Sequence, residues 1–402
     1  MEENRVTRDT DPSLDKILHR AVAEIIVEDE LIKLLKSGRK LRLKEGFDPS
    51  APDIHLGHMV MLRKLRQFQD MGHQIVIIIG DWTAQIGDPS GKSATRPMLT
   101  AEQVKINADT YLNQCFKIVD KEKTEIRFQS EWFGKFDLAD IVRLTSKFTV
   151  AQFLARDDFN KRFHENRPIA ITEFLYPLMQ AYDSVAVQSD VECGGTDQKF
   201  NFLVGRELQS MMGQSPQQCY MTPLLVGTDG VQKMSKSLGN YIGITEAPEV
   251  IFGKTMSIRD DYILTYFELL TDVPEEELTQ FKHDLDNGAN PMSLKKRLAK
   301  ELIFQLYGPA EADEAEEHFQ KVVQNKETPD DIPAISVSGG EQDIRHLLVD
   351  NGYLSSMGEA VRLIKQGGLK IDGEKIGSFN VNLANGSIIQ VGKRVFIKAN
   401  VA

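Results

Sequence analysis

The sequence predicts an α/β fold built on a parallel sheet, followed by a helical segment and a small α+β unit. Strand and helix patterns alternate over residues 13–117, an order that indicates parallel strands joined by right-handed crossovers. The run QIVIIIG over 74–80 is continuously apolar, as expected for a strand buried on both faces. Charged helical patterns replace the strand patterns over 245–325.

The early elements each have a signal of their own. Ser13 can cap a helix, apolar residues follow it at helical spacing, and Gly38 can end it. Thr100 and Gln103 predict a capping box at the start of a later helix. In chain order, the predicted elements are a helix over 13–38, a strand over 41–47, a helix over 58–72, a strand over 74–80 and a helix over 101–117.

Composition excludes several classes of protein. The chain has 402 residues, too many for one ordinary core, and its 41% hydrophobic and 27% charged residues are typical of globular domains. The longest aliphatic run, 75–79, is too short to span a membrane, and no apolar signal stretch is visible. Cys115, Cys193 and Cys219 form no CxxC pair, which disfavours a disulfide framework or zinc knuckle. A cytoplasmic location is therefore expected.

The loops that follow the predicted strands are the candidate ligand site. In open parallel sheets, ligands bind beyond the carboxyl ends of the strands. The loops in question cover 46–58, 80–96 and 193–198.

The first loop ends in DPSAPDIHLGH, with His55 and His58 three residues apart. On the first turn of a helix both would share a face at an anion-binding helix start, and Gly57 would let a flat ring approach the backbone. On its own, an HxxH pair is more often two ordinary histidines.

Two other segments carry cations. KMSKS, with Lys233 and Lys236, lies in a polar loop that could clamp a polyphosphate in a transition state, although a solvated basic loop is the plainer interpretation. GDPSGKS over 87–93 fails the P-loop spacing, yet it offers Lys92 and Arg96 to an anion. GxGxxG is absent, which disfavours a dinucleotide enzyme.

Two polar groupings complete the candidate site. In YPLMQAYD, Tyr176, Gln180 and Asp183 fall on one stripe of a helix, which is either a solvent face or the lining of a small-molecule pocket. In ECGGTDQ, paired glycines lead into Asp197 and Gln198 at a helix start. A capping turn is the alternative there.

Taken together, in this order, the motifs resemble those of one family. HLGH after the first strand and a later KMSKS resemble the two signatures of class I aminoacyl-tRNA synthetases. GFDPSAPDIHLGH, GDPSGK, YPLMQAYD and GGTDQ resemble bacterial tyrosyl-tRNA synthetases, over essentially the whole chain. SSMGEAVRLIKQGGLKIDG resembles an RNA-binding module shared with a small-subunit ribosomal protein.

The resemblance implies a two-step tyrosine–tRNA ligase reaction. Tyrosine and ATP, as its Mg²⁺ complex, would give tyrosyl-adenylate and pyrophosphate, and the tyrosyl group would move to the 3′-terminal adenosine of tRNA(Tyr). No prosthetic group or protein metal site is implied. Such a reaction needs alignment and charge stabilisation rather than a covalent enzyme intermediate, and histidines and lysines suit that task.

The resemblance also assigns residues to roles. His55, His58, Lys233 and Lys236 would be catalytic. The residues implied to bind ATP are Gly46, Asp48, Ser50, Gly57, Lys92, Arg96, Asp197, Lys233, Lys236 and Ser237. Those implied to bind tyrosine are Asp88, Tyr176, Gln180, Asp183 and Gln198, with Asp183 on the phenolic hydroxyl.

One position departs from the better-known branch of the family. There, a tyrosine two residues before the GFDP glycine also bonds the substrate hydroxyl, whereas this chain has Lys44. The chain resembles a second bacterial branch, the one with a KMSKS signature. Asp183 would then act on the hydroxyl alone or with another group.

The resemblance implies four segments and a homodimer. These are a Rossmann-like catalytic domain over 1–240 with a dimer-interface insertion at about 120–175, an α-helical anticodon-binding domain over 241–327, a linker over 328–340, and an RNA-binding domain over 341–402. The net charge of −11 argues weakly against nucleic acid. The distribution of that charge does not argue against nucleic acid, because residues 341–402 are slightly basic and KKRLAK at 295–300 is a cationic segment.

Three alternatives stay open at this point. The same chemistry on tryptophan is disfavoured by Asp183 and the C-terminal module. A small nucleotidyltransferase would not need KMSKS with a long chain after it. A non-catalytic RNA-binding relative would not need both signatures intact.

Overall fold

The computed structural model describes residues 12–49, 53–88, 100–321, 333–337, 339–392 and 395–401. The chain forms two compact units, Met1–Gly308 and Pro309–Ala402. In the part of the chain so described, every helix is too short or too polar to cross a membrane.

The first unit is built on a six-stranded sheet. Its strands are β1 (Glu24–Ile26), β2 (Arg42–Phe47), β3 (Gln74–Ile79), β4 (Thr124–Phe128), β5 (Val191–Gly195) and β6 (Gln218–Thr222). They lie in the order β1-β6-β5-β2-β3-β4, and every neighbouring pair is parallel except β1 with β6. The predicted α/β fold with a parallel sheet is confirmed, as are the strands at 41–47 and 74–80.

Helices connect these strands. The first eleven are α1 (Pro12–His19), α2 (Glu28–Lys36), α3 (Leu56–Asp70), α4 (Thr83–Ile86), α5 (Ala101–Cys115), α6 (Ser130–Phe133), α7 (Leu138–Thr145), α8 (Val150–Leu154), α9 (Asp157–His164), α10 (Ile171–Val187) and α11 (Lys199–Met211). The helices predicted at 58–72 and 101–117 are α3 and α5. The capping box of α5 is present, because Thr100 Oγ1 accepts from the Gln103 N–H and Gln103 Oε1 accepts from the Thr100 N–H.

The central strand β3 carries the core of this unit. Residues 75–79 are fully buried, which confirms burial on both faces. On one face, Val76 and Ile78 pack with Met179 and Val187 of α10. This packing fixes α10 against the sheet, and α10 carries the YPLMQAYD stripe.

The predicted helix over 13–38 is wrong in its middle. The chain leaves the helix after His19, and Ala21 and Val27 take left-handed backbone conformations with φ of 56° and 57°. Between them, β1 pairs antiparallel with β6. Local apolar spacing could not reveal this, because β6 lies far along the chain and supplies the hydrogen-bonding edge.

Four more helices follow in the first unit and confirm the change to helical character after residue 245. They are α12 (Pro248–Met256), α13 (Ile263–Leu270), α14 (Glu275–Asp286) and α15 (Pro291–Leu306). Helix α13 contacts α3 of the sheet layer, and α12 packs on α15. The boundary predicted at 240/241 stays a prediction.

The second unit has a five-stranded sheet in the order β10-β9-β12-β13-β7 and a two-stranded β11-β8 pair. Its elements are α16 (Pro309–Phe319), β7 (Ala334–Val337), β8 (Glu341–Asp343), α17 (Ile344–Asp350), α18 (Met357–Lys365), β9 (Leu369–Ile371), β10 (Glu374–Lys375), β11 (Asn380–Asn382), β12 (Ile388–Val391) and β13 (Val395–Val401). The predicted linker over 328–340 is corrected at residues 334–337, which form strand β7. There β7 pairs in parallel with β13, and its Ile335 and Val337 enter the core.

The left-handed residue before α2 predicts a stabilising substitution. A β-branched residue in this conformation costs roughly 1–2 kcal/mol, and asparagine tolerates it better. We expect Val27→Asn to raise the free energy of unfolding by about 1 kcal/mol, measured by urea denaturation. Val250→Asn is the matched control, because Val250 is similarly exposed (40% against 44%) on ordinary helical backbone. An equal gain in both variants would contradict the strain at Val27.

Candidate active site

The predicted site residues converge on one cavity at the carboxyl ends of β2, β3 and β5. Its volume is about 800 Å³. Every predicted site residue within the described ranges lines it: Gly46, Asp48, His55, Gly57, His58, Asp88, Tyr176, Gln180, Asp183, Asp197, Gln198, Lys233, Lys236 and Ser237. Ser50, Lys92 and Arg96 lie outside the described residues.

The two histidines stack at the start of α3. His55 is the N-cap residue, and its Nδ1 accepts a hydrogen bond from the Gly57 N–H at 3.2 Å. His58 Nδ1 accepts from the His55 N–H at 3.3 Å. The rings lie 3.9 Å apart and nearly parallel. Gly57 is needed here, because a Cβ at this position would approach the His55 ring to 3.0 Å.

These contacts fix both tautomers. A ring nitrogen that accepts a hydrogen bond carries no proton, so each neutral imidazole has its proton on Nε2. Burial lowers the pKa of His55 to about 2, helped by His58 and by Lys236 and Lys233. Burial and the same two lysines lower the pKa of His58 to about 4. At neutral pH both rings are therefore uncharged N–H donors.

The KMSKS loop brings its two lysines to the same cavity. Lys233 Nζ lies 2.6 Å from Asp197 Oδ2, and Lys236 forms an ion pair with Asp53. The aromatic ring of Tyr241 also faces the Lys236 ammonium, at 5.7 Å.

Buried Asn240 closes this loop on itself. Its Oδ1 accepts from the Ser235 N–H at 2.8 Å, and its Nδ2 donates to Asp229 Oδ2 at 2.9 Å and to the Lys233 carbonyl at 3.2 Å. Asn240 is 3% exposed, so these bonds are shielded from water. The lysines thus project from a loop with a defined backbone.

Hydrogen bonds join the loop's continuation to the histidine segment. The Leu56 N–H donates to the Ile242 carbonyl at 2.9 Å, and the Ile244 N–H donates to the Ile54 carbonyl at 3.1 Å. The two signatures, far apart in sequence, are therefore held as one structural unit.

The other end of the cavity is a network of carboxylates and neutral donors. Tyr176 donates its hydroxyl to Asp48 at 2.7 Å, and Thr83 donates to the other oxygen of Asp48 at 2.6 Å. Gly80 makes room for this arrangement, because a Cβ there would lie 2.2 Å from Asp48 Oδ1.

Asp183 lies at the bottom of this network. Gln129 Nε2 donates to its Oδ2 at 2.8 Å, and Trp132 Nε1 donates to its Oδ1 at 3.1 Å. Burial raises the pKa of Asp183 to about 7, against the opposing effects of Lys44 and the two donors. A buried carboxyl that titrates near neutrality is a feature of functional sites.

A second polar chain runs from α10 to the segment after β3. Gln180 Oε1 accepts from Asn201 Nδ2 at 3.0 Å, and the same Nδ2 donates to Gln198 Oε1 at 2.9 Å. Gln198 Nε2 then donates to Asp88 Oδ2 at 2.9 Å. Three predicted site residues are thus bonded into one row along the cavity wall.

Lys44 does not stand in for a hydroxyl-binding tyrosine. Its Nζ contacts Glu192 Oε1 at 2.8 Å, Ser184 Oγ at 2.7 Å and the Gln180 carbonyl at 2.9 Å. The ammonium is thus paired beneath α10, and the direct partners of Asp183 come from elsewhere.

Two donors to Asp183 belong to none of the sequence motifs. Gln129 and Trp132 follow β4, and residues just beyond a parallel strand are placed at the ligand edge. Their position after a parallel strand is a signal from which both could have been predicted as site residues. The sequence prediction instead assigned the segment from about 120 to a dimer interface. Thr83 and Gly80 follow β3 in the same way. The pairing of Glu192 with Lys44 has no local signal, because it arises from the register of β2 with β5.

Comparison with known proteins identifies the family. A family model described as tRNA synthetases class I (W and Y) matches residues 36–324. A tyrosine–tRNA ligase of Dehalococcoides mccartyi is 63% identical, with 96% of this chain and 98% of that protein covered. One from Thermotoga maritima is 53% identical, with 95% and 96% covered. The tyrosyl-tRNA synthetase of Archaeoglobus fulgidus in complex with L-tyrosine has a TM-score of 0.61 at 25% identity, covering 75% of this chain and 98% of that one.

The chain therefore belongs to the class I tRNA synthetases of the tryptophan and tyrosine family. Within that family it belongs with the tyrosine–tRNA ligases, since its likeness to them extends over nearly the whole chain. The predicted family is confirmed, and the tyrosine interpretation is supported over the tryptophan alternative.

The neutral histidine pair can be checked directly. In the folded protein, the ring C–H signals of His55 and His58 in NMR spectra should not shift between pH about 5 and 8, whereas an ordinary histidine titrates near 6.5. Assignment by His55→Gln and His58→Gln variants, with the urea-unfolded chain as reference, identifies the signals. A titration of either ring within this range would contradict the buried, neutral pair.

Proposed function

We propose that this cavity carries out both steps of tyrosine–tRNA ligation. The observation that carries the proposal is the assembly, around one space, of the histidine pair, the two KMSKS lysines and the network that ends in Asp183. One end offers cations and N–H donors to phosphates, and the other offers carboxylates and amides to an amino acid.

Tyrosine would bind with its ring directed toward Asp183. The carboxylate can accept the phenolic O–H, and the donors Gln129 and Trp132 keep it in place. Asp88, Tyr176, Gln180 and Gln198 would surround the ammonium end. Phenylalanine would leave this buried carboxylate without its donor, which disfavours its binding.

ATP would bind with its phosphates toward His55, His58, Lys233 and Lys236. The remaining ATP-binding set would be Gly46, Asp48, Gly57, Asp197 and Ser237, together with Ser50, Lys92 and Arg96. Mg²⁺ would enter with ATP, because it commonly binds through substrate phosphates and few protein carboxylates.

In the first step, an oxygen of the tyrosine carboxylate attacks the α-phosphorus of ATP. The new P–O bond forms as the bond to the β-phosphate bridging oxygen breaks, and pyrophosphate leaves with the electron pair. No proton moves, so no general base is needed. The lysines supply positive charge to the leaving group, and the neutral histidines supply Nε2–H donors without adding charge.

In the second step, a hydroxyl of the terminal adenosine attacks the carbonyl carbon of tyrosyl-adenylate. The ester bond forms as the carbonyl C–O bond to the phosphate breaks, AMP leaves with the electron pair, and the hydroxyl proton passes to the departing phosphate. The segment 295–300 and the module 341–402 would bind tRNA. In segment 295–300, Lys295 pairs with Asp260 and Arg297 pairs with Glu277. These two cations are partly neutralised within the protein, so they attract tRNA phosphates less than the sequence alone suggests.

We also propose the predicted division into catalytic, anticodon-binding and RNA-binding domains, and a homodimer. Helices α7 to α10 carry five apolar side chains that are each more than half exposed to solvent. A group of exposed apolar side chains can mark a surface that a partner covers. The five are Leu138, Val142, Val150, Phe163 and Ile171. All lie in the predicted interface segment. A second copy of the chain would bury them.

A cytoplasmic location is part of the proposal. Its support is chemical, because Cys115, Cys193 and Cys219 are all free and buried, as expected of a protein kept in a reducing compartment.

Removing one loop cation tests the phosphate assignment. Lys236→Ala should lower the rate of tyrosyl-adenylate formation by about 10²- to 10³-fold, since a donor aimed at transition-state charge is lost. The Kd for tyrosine should not change. Pre-steady-state kinetics and calorimetry measure the two quantities, and Lys123→Ala, an exposed lysine outside the cavity, is the matched control. A proportionate loss of tyrosine affinity would contradict the transition-state role.

A further inference from the structure

The ion pair between Lys44 and Glu192 is buried more deeply than stability alone explains. Both side chains are 1% exposed. Taking two charges out of water costs free energy that their attraction rarely repays, so a buried pair is weak evidence for stability. Its location against the turn of α10 that carries Asp183 points to a functional role.

Lys44 is bonded to the helical turn that carries Asp183. Its Nζ donates to the Gln180 carbonyl and to Ser184 Oγ, which precede and follow Asp183 in α10. Glu192 contacts the same turn, because it accepts from Gln180 Nε2 at 3.0 Å and from Ser184 Oγ at 3.3 Å. The pair therefore fixes both the backbone and the side chains around Asp183.

The groups that donate hydrogen bonds to Asp183 are neutral. Gln129 and Trp132, from the segment after β4, donate as an amide and an indole. Tyr176 on α10 stays un-ionised, because burial raises the pKa of its hydroxyl. Burial likewise raises the pKa of the Cys193 thiol on β5 and keeps it protonated. Lys44 on β2 and Glu192 on β5 are the charged groups with the largest effects on the pKa of Asp183, and Lys44, which lowers it, has the larger effect.

We propose that Lys44 is a specificity-determining positioning residue, whose ammonium keeps the Asp183 carboxylate negative and able to accept the hydroxyl of tyrosine. Glu192 limits this effect and orients Gln180. The inference rests on the proposed role of Asp183 in tyrosine binding. In place of a second hydroxyl donor or acceptor in the pocket, the chain uses a charge one layer beneath it.

A pH dependence follows. When Asp183 is protonated, it loses the charge that makes it a strong acceptor. Tyrosine affinity should therefore fall as the pH drops through the pKa of Asp183, whereas phenylalanine affinity should not change. The midpoint of that fall reports the charge state of Asp183 and moves with the charges around it.

The test compares Glu192→Gln with Lys44→Met/Glu192→Gln. Position 192 is neutral in both, so the two proteins differ only at position 44. There methionine keeps the unbranched chain as far as Cε but lacks the ammonium, with its charge and its hydrogen bonds to Gln180 and Ser184. Calorimetry gives the Kd of tyrosine and of phenylalanine from pH 5.5 to 8.5. We expect the midpoint of the double variant to lie about one pH unit above that of Glu192→Gln. In the pH range between the two midpoints, the tyrosine affinities of the two proteins should then differ by up to about tenfold. Equal midpoints would overturn the proposal.

A comparison of Glu192→Gln with the wild type, and one further variant, keep the outcome decisive. Glu192→Gln alone retains Lys44 and should move the midpoint below that of the wild type, and an unchanged or higher midpoint would count against the proposal even if the double variant fails to fold. Asp183→Asn separates the two levels of inference. If it keeps the wild-type pH profile and discrimination, the role of Asp183 itself fails. If it loses both while the midpoints of the Lys44 comparison agree, only the role of Lys44 fails.

Discussion

The buried carboxylate of Asp183 is the constraint on which the amino-acid end of the site depends. A carboxylate 2% exposed to water is costly unless donors and charge surround it. The fold meets this requirement from two sides, with the donors Gln129 and Trp132 after β4 and the charge of Lys44 on β2. Helix α10 holds the group itself, and the packing of α10 on β3 sets how far it reaches.

The proposed phosphate end has the opposite arrangement of charge. It places two lysines and two histidines on one cavity, and burial, assisted by the lysines, keeps the histidines uncharged by lowering their pKa. The site thus combines lysine charges with histidine N–H donors, a combination suited to negative charge that shifts during the proposed reaction. The hydrogen bonds at Ile242 and Ile244 hold these donors next to the loop that carries the lysines.

Much of this organisation could be predicted from sequence, because its signals are local. The apolar run of β3, the capping box at Thr100 and the spacing of His55 and His58 each depend on neighbours within a few residues. The family resemblance then supplied what no single motif could. It brought together segments that the sheet topology places at one edge. The remainder depends on pairing between distant segments. Strand β1 exists because the edge of β6 is available, and β7 exists because it pairs with β13, although its composition is typical of a linker. The partners of Lys44 and Asp183 come from strand register and from a segment after β4, so neither position could be understood from its own neighbourhood.

The proposed role of the Asp183 carboxylate is to decide which amino acid is activated. The most direct measurement of this is amino-acid-dependent exchange of pyrophosphate into ATP by the purified protein, with tyrosine, phenylalanine and tryptophan compared at pH about 8, above the pKa of Asp183 of about 7. We expect exchange with tyrosine and a kcat/KM for phenylalanine lower by about 10⁵, which is the discrimination already established for a tyrosyl enzyme. Comparable exchange with phenylalanine, or stronger exchange with tryptophan, would contradict the role of Asp183.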